Sequence, residues 1–160
     1  MSQGDANDQI PLSFLGMANI AVRLVREKYQ DAELYEGDGI SPGGPTTKVQ
    51  DVNSWRFVFR AGDGGTAIIK STVWGEFGPI QYIAEPWLED RVIPWPIEMD
   101  ITQADNLLKQ AGYTGPSSSV TLRWPLYPGM NQPFYIFQME NEGFVFVGVY
   151  DGSVNRESAA

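Results

Sequence analysis

The stretches SWRFVFRAGDGGTAIIKSTVWGEFG, residues 54–78, and PFYIFQMENEGFVFVGVYDGSV, residues 133–154, decide the fold of this chain. In the first, Trp55, Phe57 and Phe59 alternate with Arg56, Val58 and Arg60. The glycine-rich turn Gly62, Asp63, Gly64, Gly65 follows, and a long strand then runs from Thr66 to about Phe77, so the segment reads as a hairpin. The second repeats the order: a strand over residues 134–140, a turn at Asn141, Glu142, Gly143, and a strand over 144–150. At an offset of 77 residues the two align without a gap, Phe57 on Phe134, Phe59 on Ile136, Ile69 on Phe146 and Gly75 on Gly152.

An amphipathic helix precedes each hairpin. Leu15, Ala18, Val22, Val25 and Tyr29 recur at spacings of three and four, with Pro11 in the first turn. Ile101, Ala104, Leu107, Leu108 and Ala111 do the same, opened by Asp100 and Gln103 as a capping box and closed by Gly112 in the left-handed conformation. Further strands are expected at residues 32–36 and 118–124. Each half is then one helix and three strands, and the fold class is α+β: two tandem helix-plus-three-stranded antiparallel sheet repeats packed as one unit. Their bounds are 10–78 and 100–154, with a connector at 79–99. That connector holds four prolines with Tyr82, Trp87 and Trp95, and is expected to pack along both halves.

Composition removes most chemistry. The chain has 160 residues, no His and no Cys, which excludes Ser/His triads, Cys/His dyads, zinc fingers, iron–sulfur clusters and disulfides. Twenty Asp and Glu stand against 11 Lys and Arg, and a net charge of -9 repels phosphate backbones and anionic lipids. No nucleic acid and no membrane partner are expected, and no apolar run approaches the ~18 residues that cross a bilayer. Residues 1–9 lack the pattern of a secretory signal, so the expected compartment is cytoplasmic, or extracytoplasmic if a leader has been removed. Both chain ends, including residues 152–160, are expected to fray.

Acidic pairs such as Glu89 with Asp90, Glu98 with Asp100 and Glu140 with Glu142 fall in turns and read as solvated. The run Glu36, Gly37, Asp38, Gly39 starts like a calcium loop, lacks the closing ligands, and reads as a turn. No glycine pattern forms a phosphate cradle, and Ser117, Ser118 and Ser119 lack a base. No catalytic residue, metal ligand or cofactor is assigned.

The stretches IAVRLVREKYQDAELYE and ITQADNLLKQAGYTGPSSSVTLRWPLYPG, each followed by its hairpin, resemble PepSY-like proteins. The resemblance is one of topology and apolar register and covers most of the chain. It implies a cystatin-like α+β unit, often extracytoplasmic, for which protein binding or peptidase inhibition has been proposed. The tandem plan is also similar in outline to secreted β-lactamase-inhibitor proteins.

Two surfaces are candidates for binding. With Phe57, Phe59, Ile69 and Val73 assigned to the core, the aligned register puts Phe134, Ile136, Phe146 and Tyr150 there too. It leaves Tyr135, Phe137, Met139, Val145, Val147 and Val149 on the opposite face. Such a patch needs a cover: the connector, the other half, a second copy as in a homodimer, a partner protein, or an apolar ligand. The second surface is the loop aromatics Trp87, Trp95, Trp124 and Tyr127. There, the segment Arg123, Trp124, Pro125, Leu126, Tyr127, Pro128 holds its anchors with proline. The site set is therefore Arg123, Trp124, Tyr127, Tyr135, Phe137, Val147, Trp87 and Trp95. The expected function is non-enzymatic protein binding or self-association, with peptidase inhibition as one form. The alternatives are small-molecule or carbohydrate binding by loop aromatics and an enzyme working with carboxylates alone.

Overall fold

The structure, a computed structural model, describes residues 12–156. Pro11 and the outermost residues at both ends, with the fraying expected of them, lie outside that range.

Two helices cover one face of a nine-stranded antiparallel sheet. Helix α1 spans Phe14–Lys28 and buries Phe14, Met17, Ala18, Ala21, Val22 and Val25, one stripe at helical spacing; Ser13 caps it by accepting from the Gly16 N–H at 2.9 Å. Helix α2 spans Ile101–Gln110 and starts at the Asp100–Gln103 capping box. Gly112 follows with φ 99°, as the helix stop requires.

The strands are β1 (Glu33–Ile40), β2 (Ser54–Ala61), β3 (Gly65–Val73), β4 (Glu76–Phe77), β5 (Gln81–Ile83), β6 (Ser117–Arg123), β7 (Phe134–Met139), β8 (Gly143–Gly148) and β9 (Val154–Arg156). Their order across the sheet is β9-β8-β7-β6-β1-β2-β3-β4, with β5 also on β3. Each half contributes a meander, and the halves meet where β1 pairs with β6, Gly37 opposite Leu122. The long strand expected from Thr66 to Phe77 is broken. Gly75 at φ 88° turns the chain, and β4 folds back onto β3. At the far edge, residues 154–156, expected to fray, add to β8 as β9, and Val154 packs on the core.

Register corrects the sequence reading of the second hairpin. Ala61 pairs with Gly65 across a three-residue turn, and Met139 pairs with Gly143 across another, so the two hairpins match in pairing register at an offset of 78 and not 77. Phe57 therefore corresponds to Tyr135, Phe59 to Phe137 and Ile69 to Val147, and all six are buried in the core beneath the helices. A shift of one residue exchanges the two faces of a strand. Phe134, Ile136 and Phe146, expected under the helices, sit on the opposite face and form a small cluster with Met130. Val73 and Tyr150, also expected in the core, are exposed.

The connector runs beside the sheet and then across it. Strand β5 pairs with β3, and the ring of Tyr82 stacks on Tyr29 at 5.3 Å. Beyond it, the Thr66 hydroxyl donates to the Glu85 carbonyl and the Arg91 N–H to the Trp124 carbonyl. The Ile93 N–H then donates to the Leu34 carbonyl, and Ile93 and Ile97 enter the main core. The segment thus contacts β3, β1, the end of β6 and, through Trp95, helix α1.

Candidate functional site

The face of the sheet without helices carries a cluster of charge at the junction of the halves. A bulge in β1 between Leu34 and Glu36 turns Glu36 and Asp38 onto this face. Gly37 and Gly39 then lie on the core face, beneath the rings of Phe57 and Trp55. A Cβ on Gly37 would lie 2.7 Å from a Phe57 ring carbon, and one on Gly39 would lie 2.5 Å from two Trp55 ring carbons. The stretch Glu36, Gly37, Asp38, Gly39 is therefore a strand and not a turn, its glycines admitting two aromatic rings.

Arg56 on β2 reaches Asp38 at 2.6 Å and Glu36 at 3.5 Å. Arg123 on β6 reaches Asp90 at 2.7 Å and Glu36 at 3.9 Å, and also donates to the Glu89 carbonyl. Trp87 donates from its indole N–H to Asp90 at 2.7 Å and lies 5.8 Å from the Arg56 guanidinium. Three carboxylates, Glu36, Asp38 and Asp90, thus face two guanidiniums. Burial and hydrogen bonds with the Asp38 and Asp90 carboxyls hold Glu36 well above the usual carboxylate range. One shared proton on Glu36 makes the group electrically neutral, which agrees with that direction although both arginines are near. Sequence reasoning missed this cluster because Asp90 looks like a solvated turn residue and Glu36 like part of a loop.

Beside the cluster, the loop 124–131 stands over the end of the sheet. The Trp124 indole N–H donates to the Met130 carbonyl at 2.7 Å, and its ring meets Tyr150 edge-on. The Met130 side chain covers Phe134, Ile136 and Phe146. The guanidinium of Arg91 lies 5.9 Å from the Trp124 ring. Leu126 and Tyr127 project outward, 48% and 49% exposed, into an open cleft of about 560 Å³ that Arg91, Trp124, Met130 and Asn131 complete.

Four of the eight expected site residues meet at this corner: Trp87 and Arg123 within the charge cluster, Trp124 and Tyr127 in the adjoining loop. Arg123 is occupied by Asp90, and the cation facing the cleft is Arg91, which sequence reasoning did not single out. Trp95 lies on the helix side, donating to Asn19 of α1 at 2.7 Å. Tyr135, Phe137 and Val147 are buried in the main core, with the Tyr135 hydroxyl donating to the Met99 carbonyl. Expected on the face opposite the helices, beneath a cover such as the connector or a partner, they lie instead on the helix face, and the one-residue register difference is the reason.

Among the described residues, no group of acidic side chains is arranged to hold a metal ion, and no helix is long and apolar enough to cross a membrane. Comparison with family models, curated proteins and solved structures gives no match.

Proposed function

We propose that this chain is a non-catalytic protein-binding module that engages its partner through the loop 124–131 and Arg91. The observation that carries the reading is the convergence of Trp124, Tyr127 and Arg91 on one open cleft, beside an exposed Leu126. Trp, Tyr and Arg are the side chains that dominate binding energy at protein interfaces. Pro125 and Pro128 restrict the loop, the Trp124–Met130 bond closes it, and the Arg123–Asp90 pair anchors its base, so little ordering entropy remains to be lost on binding. Arg91 makes no ion pair among the described residues, which leaves it free to meet a carboxylate of the partner. A net charge of -9 favours a partner with a basic surface around that carboxylate.

The scaffold is a duplicated PepSY-like unit. In support, both halves follow the order helix, strand, strand, strand, and both second hairpins close over three residues. Peptidase inhibition is the specific form of binding that this resemblance suggests, and self-association through the same loop is its rival.

The test is a panel of serine, cysteine, aspartic and metallopeptidases assayed with the wild-type chain, the double variant Leu126→Ala/Tyr127→Ala, and Arg91→Ala. Dose-dependent inhibition of one peptidase by wild type, weakened about tenfold or more by either variant, is expected. Inhibition untouched by the variants removes the loop as the contact. No inhibition of any peptidase removes the inhibitor form, and a concentration-dependent mass that collapses to a monomer in the double variant identifies self-association instead.

A further inference from the structure

The N-terminal turns of the two helices meet at Asp100, and residues from both line one space. Ser13 caps α1. Asp100 opens α2 and also accepts the Leu15 N–H of α1 at 2.8 Å, so one carboxylate serves the first turns of both helices. Between these ends lies a cavity of about 470 Å³, within the range of small-molecule pockets. Its walls are predominantly apolar: Leu12 and Phe14 from α1 and its approach, Val52 and Trp55 from the start of β2, Trp74 from the end of β3, and Ile101 from α2. Gln50 and Asn53 stand exposed at its mouth.

We propose that this cavity binds a small, uncharged, mainly aromatic molecule, independently of the loop 124–131. Size and wall chemistry set the aromatic class. Phe14 and Trp55, buried with ring centroids 4.6 Å apart, form the floor, and the half-buried Trp74 is the ring that a ligand would stack on. The walls are held in place because their polar atoms are spent internally. The Trp55 indole N–H donates to the Val52 carbonyl and the Trp74 indole N–H to the Leu12 carbonyl, both at 2.9 Å. Neither indole is left to recognise a ligand, so hydrogen bonding falls to the mouth amides of Gln50 and Asn53, enough for one polar group.

Charge sets the rest. Asp100 is the one charged residue of the lining, and its two oxygens accept from the Leu15 N–H and the Thr102 hydroxyl. An anionic ligand would meet that carboxylate and a cationic one the positive ends of two helix dipoles, and each would leave water for predominantly apolar walls with no net counter-charge to offset the transfer. A neutral ring bearing one hydrogen-bonding group meets neither penalty.

The test is a fluorescence titration of the full chain with N-phenyl-1-naphthylamine as neutral probe, beside 1-naphthoate and 1-naphthylmethylammonium. One-to-one saturation by the neutral probe with a Kd of about 1–100 μM is expected, with both ions at least about tenfold weaker. Gln50→Phe and Asn53→Phe, each placing a ring in the mouth from an exposed position, are expected to weaken the probe about tenfold or more while circular dichroism stays native. Leu126→Ala/Tyr127→Ala should leave binding unchanged, which separates this site from the proposed protein contact. In wild type, amide shifts on adding the probe should concentrate at residues 12–15, 49–53 and 100–102, a readout that requires no variant to fold. Failure of the neutral probe to saturate, naphthoate or naphthylmethylammonium binding equally well, or shifts centred elsewhere overturns the proposal.

Discussion

Asp90, in the connector, accepts a hydrogen bond at 2.7 Å from the Arg123 guanidinium at the end of β6, and the Asp90 side chain is wholly shielded from solvent. The pair joins the one segment outside the two meanders to the strand on which they meet. Removing one partner of such a pair strands the other charge. Asp90→Ala and Arg123→Ala should therefore each lower unfolding free energy by about 3 kcal/mol. The double variant should lose clearly less than the sum, with a coupling of about 1–3 kcal/mol in chemical denaturation. Additive losses would mean that the connector is held by its apolar contacts and not by this pair.

Glu36 gives the same cluster a pH dependence of a definite sign. Its folded-state affinity for a proton exceeds that of the unfolded chain, so its contribution is complete below the unfolded carboxylate value near 4.5. It then declines continuously as pH rises toward the folded value of about 11. Glu36→Gln keeps the shape and a hydrogen-bond donor but cannot ionise. Its midpoint in thermal or urea unfolding should equal or exceed that of wild type at pH 8–9, and the fall between pH 5 and pH 9 should be flatter. A variant that tracks wild type across this range would show that the proton resides elsewhere in the cluster. Asp38, Asp90, Glu89, Arg56 and Arg123 are the charged neighbours, and they are unchanged in the comparison.

Gly39 has no left-handed backbone angle to defend, yet it is fixed by the Trp55 ring lying where a Cβ would go. Trp55 is 2% exposed and wedged between Phe14 and Phe57, so it has little room to retreat. Gly39→Ala should cost about 1–3 kcal/mol by overpacking, while Gly43→Ala, which meets nothing within 4 Å, should be near neutral. Calorimetry on the two variants decides whether close approach, and not a turn, is what glycine serves in this strand.

What could be read from the sequence follows from how one-sided each element is. Helix α1 carries one apolar stripe against Arg23, Arg26 and Lys28, and α2 carries both end signals, so both were legible. The first hairpin alternates apolar with Arg and Lys, and its core face was assigned correctly as far as Ile69. Residues 134–139 are apolar on both faces apart from Gln138, so periodicity there contains no information on which face is inside. The usable signal is the hairpin turn: matching Gly65 to Gly143 gives the offset of 78, whereas matching apolar residues together with Gly75 and Gly152 gives 77. The charge cluster was illegible for a different reason. Its members come from residues 36, 38, 56, 90 and 123, joined only when β1, β2 and β6 lie side by side and the connector crosses them. The loop 124–131 was legible because proline and exposed aromatics are local features, and Arg91 was not, because it reaches the loop through a long-range backbone contact.

The register also makes a prediction between two residues of the same type on the same strand. Phe137, 1% exposed, lies in the main core with Val120, Val145 and the helices, whereas Phe134 lies in the small cluster under Met130 on the other face. Truncation at Phe137 leaves a cavity enclosed on all sides. Truncation at Phe134 leaves one that Met130 and its loop can move to fill, since that loop borders an open cleft. Phe137→Ala should therefore cost about 3–5 kcal/mol, and Phe134→Ala at least about 1 kcal/mol less. Because both substitutions delete the same atoms, the difference measures burial and collapse alone. The opposite order, with Phe134→Ala the more damaging, would place residue 134 beneath the helices and restore the alignment at 77. It would also return Tyr135, Phe137 and Val147 to the face available to a partner.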